Sequence, residues 1–187
     1  MIVLIGKSAS GKDTILNKLI ENGYKKIITY TTRPMRKNET QDKTYHFISE
    51  GEFKNKVEDG FFVEWKSYIT NNGVWYYGSA KEDYDKSDDK TLVILTPDGY
   101  RDIINSLGYR PKSIYIYANN STIRGRLQKR GDDKNEVIRR IEHDNEDFKG
   151  VEKLADRIVY NNRESKIDDV INIIENTLHK WREDERK

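Results

Sequence analysis

Near the start of the chain, Gly6-Lys7-Ser8-Ala9-Ser10-Gly11-Lys12-Asp13-Thr14 has the residue types that hold a polyphosphate. Gly6 and Gly11 let the backbone turn tightly, so that successive N–H groups converge on an anion. A helix beginning near Lys12 adds the positive end of its dipole, and the Lys12 ammonium reaches the outer phosphates. The residue after this lysine is ordinarily a Ser or Thr whose hydroxyl ligates Mg²⁺. Here it is Asp13. A carboxylate can bind Mg²⁺ directly or through water, but beside phosphates its charge is unfavourable without the ion. Thr14, the nearest hydroxyl, points about 100° away around the helix. Asp13 is therefore the candidate metal ligand.

A second group of residues suits an acceptor. Arg33 and Arg36 sit on a loop stiffened by Pro34, and the segments Tyr45-His46-Phe47 and Tyr76-Tyr77-Gly78-Ser79 bring tyrosine hydroxyls. Such a set clamps a phosphate monoester. Glu64 interrupts the apolar run Phe61-Phe62-Val63-Glu64-Trp65. It is either a solvated strand residue or a base reader. A carboxylate accepts two N–H bonds from guanine N1 and N2, which adenine cannot offer together.

The elements that must carry these groups alternate between buried strands and amphipathic helices. Ile2-Val3-Leu4-Ile5 is a continuous apolar run ending at Gly6, as a buried parallel strand requires. Ile15, Leu16, Leu19 and Ile20 then recur at helical spacing up to Gly23. Further strands are expected at 91–95, 113–117 and 157–160, with helices at 97–107, 121–129 and 166–181. In the last, Ile167, Ile171, Ile174, Leu178 and Trp181 form one core-facing stripe. This alternation predicts an α/β fold with a mainly parallel sheet. Residues 30–80 differ, being rich in Tyr, Thr and charge, with an Asn72-Gly73 hairpin turn. They read as an inserted, partly antiparallel lobe. Residues 131–150 are helical, charged and poor in apolar anchors, which suits a mobile cover.

The whole chain of 187 residues fits one domain. Charged residues make up 35% of it and opposite signs nearly cancel, leaving a formal net charge of +2. Interleaved signs exclude a nucleic-acid footprint. With no cysteine there is no disulfide or thiolate chemistry, which suits a reducing cytosol. No apolar run reaches about 18 residues, and no basic leader precedes the first strand, so neither a membrane span nor a secretory signal is expected. His46, His143 and His179 are scattered, without metal-ligand spacing.

From the first strand to about Asn162 the chain resembles the guanylate kinase family. The resemblance rests on the phosphate loop, the Thr-Thr-Arg…Arg loop, the Glu64-Trp65 strand and the Tyr76-Tyr77-Gly78-Ser79 segment. It continues in Arg126-Leu127-Gln128-Lys129-Arg130-Gly131 and Arg139-Arg140. It implies a three-layer P-loop NTPase fold, with a core of 1–28, 81–120 and 151–187, a GMP-binding lobe at 29–80 and a helical lid at about 121–150. It implies that Arg33, Arg36, Tyr45 and Tyr77 hold the GMP phosphate while Thr29, Glu64 and Ser79 surround the base. Arg126, Arg130 and Arg140 would close over the triphosphate, with Arg130 and Asn161 near the adenine of ATP. Taken alone these arginines read as surface charges. Relatives carry Leu-Asp-x-Asp after the central strand, where this chain has Leu95-Thr96-Pro97-Asp98-Gly99. Asp98 either joins the GMP site from a shifted position or simply opens the next helix as a first-turn acid. The resemblance thus implies transfer of the ATP γ-phosphoryl group to GMP, and to dGMP, with Mg²⁺ as cofactor. Lys12, Arg33, Arg126, Arg130 and Arg140 would be the catalytic residues. The partners would be ATP and GMP, with no nucleic acid or membrane, in a cytoplasmic monomer or homodimer. Two alternatives are a kinase for a sugar phosphate such as ribose 1,5-bisphosphate, suggested by Gly11-Lys12-Asp13, and a non-catalytic interaction module. Glu64 argues against the first, and the retained Lys12, Arg126, Arg130 and Arg140 against the second.

Overall fold

The computed structural model describes residues 1–70 and 73–186. In chain order, strand β1 (Ile2–Ile5) leads through the glycine-rich loop to helix α1 (Lys12–Glu21), then β2 (Lys25–Lys26), β3 (Tyr30–Thr31), β4 (His46–Phe47) and α2 (Glu50–Glu58). A long hairpin of β5 (Phe62–Thr70) and β6 (Gly73–Ala80) follows, then α3 (Lys81–Asp85), β7 (Thr91–Leu95), α4 (Pro97–Leu107) and β8 (Lys112–Tyr117). The chain continues with α5 (Asn120–Lys129), α6 (Lys134–Asp147), α7 (Val151–Leu154), β9 (Arg157–Tyr160) and α8 (Ile167–Asp184).

The larger sheet has the order β2-β7-β1-β8-β9, and every pairing is parallel. Val3, Leu4 and Ile5 are 0% exposed because both faces of β1 are covered. Ile2 and Leu4 point to the face packed by Ile15, Leu16 and Leu19 of α1 and by Val170, Ile171, Ile174 and Leu178 of α8. Val3 and Ile5 point to the other, against Tyr100 and Ile103 of α4 and Val151 of α7. This is the three-layer α/β arrangement that the apolar runs predict. Each fully buried aliphatic side chain contributes about 1.5–3 kcal/mol, so the five short strands need no hydrophilic face. Because β1 lies between β7 and β8, the crevice beyond its carboxyl end is a topological switch point, where ligands of such sheets bind.

The smaller sheet, β4-β3-β6-β5, is the expected lobe; β3 and β5 run antiparallel to β6, while β4 is parallel to β3. Thr70 pairs with Gly73 at the hairpin end, and Asn72 of the expected turn lies outside the described residues. Phe53 of α2 is 0% exposed and stacks on Phe62, fixing the lobe's own small core. A register shift between Phe62 and Glu64 bulges β5 at Val63 and sets Glu64 directly opposite Ser79. Bulges of this kind re-aim a side chain next to a site.

Over the mouth of the crevice lie α5 and α6, joined by a cluster of Ile123, Leu127, Val137 and Ile141. Asp133 caps α6 by accepting from the Asn135 and Glu136 N–H groups. The polar stretch expected to be a cover is thus a helix with a narrow apolar seam on one side only.

Candidate active site

One cleft of about 720 Å³ runs between the two sheets under α6. At one end is the glycine-rich loop. A Cβ on Gly6 would lie 2.7 Å from the Ile116 carbonyl oxygen, and one on Gly11 2.3 Å from Asn161 Nδ2. Gly11 also has φ +98°, a left-handed conformation in which a side chain is strained. Both glycines are therefore required by close approach as well as by the turn. The Lys12 ammonium folds back along the loop, donating to the Gly6 and Lys7 carbonyl oxygens at 2.5 and 2.8 Å. Burial lowers its pKa, against the opposing pull of the Asp13 and Asp144 carboxylates.

The loop is braced from behind. Arg126 donates to the Ala9, Ser10 and Asn161 carbonyl oxygens at 3.2, 3.0 and 3.0 Å, and Asn161 Nδ2 donates to the Ser10 oxygen at 2.8 Å. In a planar trans peptide the N–H points opposite its C=O. Holding the Ser10 carbonyl outward therefore turns the Gly11 N–H inward, and α1 starts at the next residue. Arg126 and Asn161 belong to the backbone side of the loop in this structure. That differs from the expectation that Arg126 lies over the triphosphate, and the cause is the carbonyls exposed by the loop's tight turn. Asp13 is exposed in the first turn of α1 at the cleft.

Helix α6 supplies the roof. Asp144 accepts from the Ser8 N–H at 2.6 Å, and Lys7 Nζ donates to Asn145 Oδ1 at 2.6 Å. Arg130 is held by Asp132, while Glu136 takes Arg139 at 2.8 and 2.9 Å and Arg140 at 2.6 Å. Glu136 is held down to about 2, first by the Arg139 hydrogen bond. All three cleft-lining lid arginines are thus paired with acids of their own segment.

At the far end, Glu64, Lys66, Tyr68 and Thr70 alternate onto one face of β5. Ser79 Oγ donates to Glu64 Oε1 at 2.6 Å, and Gly99 leaves room for the other oxygen, since a Cβ there would lie 3.2 Å from Glu64 Oε2. Burial pushes Glu64 up to about 7, with the Ser79 hydrogen bond acting the other way. Thr29, Arg36, Tyr45 and Tyr77 line the same end. The Tyr45 hydroxyl is pushed well above its usual range by burial.

Arg33 and Asp98 are placed differently from what their sequence context suggests. Arg33 is 4% exposed and forks onto Glu39 at 2.8 and 2.7 Å, with Tyr45 and Phe47 beside its guanidinium. Glu39 also accepts the Arg36 N–H at 2.7 Å, so Arg33 shapes the loop that presents Arg36. Asp98 is paired with Arg101 at 2.6 Å on the exposed first turn of α4, which is the helix-opening alternative. Thr96, two residues earlier, caps α4 by accepting the Gly99 N–H at 3.1 Å.

Residues not singled out from the sequence also meet here. Tyr68 lies against Tyr77 and the His143 ring, at centroid distances of 5.7 and 6.4 Å. Strand alternation from Glu64 would have found Tyr68, and helical spacing from Arg140 would have found His143, Asp144 and Asp147. Nothing in the sequence marks Glu39 as the partner of Arg33.

The arrangement is a phosphate cradle and an acid-bearing pocket facing one another across a closable cleft, and known proteins share it. The family model described as guanylate kinase matches residues 1–181. A guanylate kinase of Sulfurimonas denitrificans is 36% identical over 170 residues, covering 87% of this chain and 80% of that protein. One from Wolinella succinogenes is 34% identical over 174 residues, covering 89% and 78%. The crystal structure of guanylate kinase from Anaplasma phagocytophilum superposes with a TM-score of 0.71 over 97% of this chain and 85% of that one, at 22% identity, and so supports the fold. With the match running from the first strand into the last helix, this chain belongs to the guanylate kinase family.

Proposed function

We propose that the protein transfers the γ-phosphoryl group of ATP to the phosphate of GMP, giving ADP and GDP. The observation that carries this reading is the Glu64–Ser79 pair, buried opposite the Lys12 cradle in the same cleft. A sugar phosphate offers nothing that needs an inward carboxylate there. Guanine does, through N1–H and the 2-amino group.

Phosphoryl transfer needs positioning and charge neutralisation more than covalent help from the protein. The loop N–H groups and Lys12 hold the donor phosphates, and Arg126 with Asn161 keeps those N–H groups aimed. Arg36, Tyr45 and Tyr77 take the acceptor phosphate, on a loop set by Arg33 and Glu39. Arg130 and Arg140 leave Asp132 and Glu136 for the transferring group as the lid adjusts. An arginine acting on that charge contributes roughly 10³-fold in rate. Among the described residues no group of three or more potential metal-binding side chains occurs. That fits an ion which takes most of its ligands from phosphate and water, leaving one carboxylate for the protein to supply. Asp13 would hold Mg²⁺ in that way, and the ion would neutralise charge on the donor phosphates. No described helix is long and apolar enough to cross a membrane. A cytoplasmic placement suits the absence of cysteine.

The test is a coupled ADP-release assay with ATP, Mg²⁺ and a panel of GMP, dGMP, AMP, CMP, UMP and ribose 1,5-bisphosphate. Turnover of GMP and dGMP alone is the expected result. Preference for the sugar phosphate or AMP overturns the reading. Lys12→Ala is expected to lower kcat severely with an unchanged fold.

A further inference from the structure

We propose that Tyr68 is a specificity-determining residue, whose hydroxyl, set by Thr96, donates the hydrogen bond that reads the oxygen at position 6 of the acceptor base. This rests on GMP being the acceptor and adds a residue to that site.

A guanine edge presents two kinds of group. N1–H and the 2-amino group are donors and suit the Glu64 carboxylate. O6 is an acceptor and needs a donor from the protein. The obvious hydroxyl, Ser79, has its proton committed to Glu64 Oε1 at 2.6 Å. Thr31, deeper in the lobe, donates to the Tyr76 carbonyl oxygen at 2.9 Å. Tyr68 stands on the same face of β5 as Glu64, one turn of the pleat beyond Lys66, and it lines the cleft. Its ring is wedged between Tyr77 of β6 and His143 of α6, so both the lobe and the lid fix its direction.

The Thr96 side chain lies beside the Tyr68 hydroxyl. Thr96 Oγ1 already accepts the Gly99 N–H at 3.1 Å. Its own proton is therefore available to the Tyr68 oxygen, which leaves the Tyr68 proton for a ligand. The chain Gly99 N–H to Thr96 to Tyr68 runs in one direction, and each bond polarises the next. Burial pushes Tyr68 up to about 12, with Thr96 opposing, so the phenol stays a donor throughout the physiological range. Lys66 is the other donor on this face, but its ammonium is paired with Asp102 at 3.0 Å. The chain thus answers the missing carboxylate after its central strand with a hydroxyl pair, Thr96 and Tyr68.

The experiment compares kcat/KM for GMP, IMP and 6-thio-GMP in the wild type, Tyr68→Phe and Lys66→Met. The thio analogue keeps N1–H and the 2-amino group and replaces O6 with a weak acceptor. Loss of one neutral hydrogen bond corresponds to about a five- to tenfold drop. Tyr68→Phe is expected to lose that factor for GMP and IMP alike, mainly through KM, and to leave 6-thio-GMP nearly unchanged. The wild-type preference for GMP over 6-thio-GMP then collapses in the variant, with the melting temperature preserved. Equal losses for GMP and 6-thio-GMP would make Tyr68 a mere structural strap and overturn the proposal. An unchanged GMP rate in Tyr68→Phe overturns it too, and a selective loss in Lys66→Met would hand the role to the lysine. Absence of GMP turnover in the wild type is a separate outcome, which removes the kinase reading and this proposal together.

Discussion

Glu64 is required for its charge and destabilised by it, and the two effects can be measured on one variant. Its pKa rises from an ordinary 4.5 to about 7 because burial disfavours the carboxylate. At 1.4 kcal/mol for each tenfold, that displacement corresponds to an upper bound of about 3 kcal/mol. The folded protein binds this proton more tightly than the unfolded chain does. Stability from this group is therefore full below about pH 4.5, falls as pH rises, and is lost above about pH 7. Glu64→Gln keeps an oxygen for the Ser79 hydroxyl and carries no charge. At pH 8 it should melt higher than the wild type by up to about 6–12 °C, taking about 2–4 °C per kcal/mol for a domain of this size. At pH 4.5 the two should melt together. Activity should move the other way. Only the ionised carboxylate accepts both guanine donors, so wild-type kcat/KM for GMP should fall about tenfold from pH 8 to pH 6 beyond the effect of the GMP phosphate itself. That component should be missing from the residual activity of Glu64→Gln. Scanning calorimetry at the two pH values and the pH–rate profile decide the matter. A melting difference that does not change with pH, or a rate inflection below pH 5, would refute the argument that Glu64 is a buried base reader.

Two further outcomes follow from the cradle and its roof. Arg126→Ala removes three bonds to loop carbonyls, of which the Ser10 and Asn161 contacts are 3.0 Å long. It should cost about 2–3 kcal/mol in urea unfolding, because those carbonyls lose a charged donor, and should weaken ATP binding in calorimetric titration; an unchanged ATP affinity would dissociate the brace from the cradle. Asp144→Ala removes the 2.6 Å link to the Ser8 N–H, and amide hydrogen exchange within α6 should accelerate at least several-fold while that of β1 stays constant. Identical exchange in α6 would show that the link does not hold the lid.

What could be read from the sequence was what depends on local pattern. β1, its loop and α1 were visible because a continuous apolar run, two glycines and a helical stripe each act within a few residues. The same holds for β7, α4, β9 and α8. The two-residue strands β2, β3 and β4 carry no period, and only their pairing in the sheets defines them. Glu64 stood out as a charge in an apolar run, but its aim depends on the bulge at Val63, which requires the partner strand to be seen. The arginines of 126–140 could not be sorted by sequence. Arg126 serves the loop backbone, while Arg130, Arg139 and Arg140 are held by acids up to four residues away. Arg33 read as a phosphate ligand because its pairing with Glu39 is set by the fold of the loop between them.

The roof helix ties these parts together by its geometry alone. Arg140 and Asp144 are one turn apart on α6, about 6 Å along its axis. A lid position that brings Arg140 to the outer phosphates of the donor therefore also carries Asp144 toward the loop. There Asp144 meets an N–H, that of Ser8, and the opposite charge of Lys12, so a carboxylate at the edge of a phosphate site is stabilised without contact to the phosphates. One residue away, His143 faces Tyr68 of the acceptor lobe. The same helix thus contacts the donor loop through Asp144 and the acceptor end through His143. Closing over one substrate alone leaves half of that face without its partner, so the full set of lid contacts forms only when both ends of the cleft are in place. Such a roof favours transfer to the bound acceptor over transfer to water, because the arginines are released from Glu136 and Asp132 only when both ends are engaged.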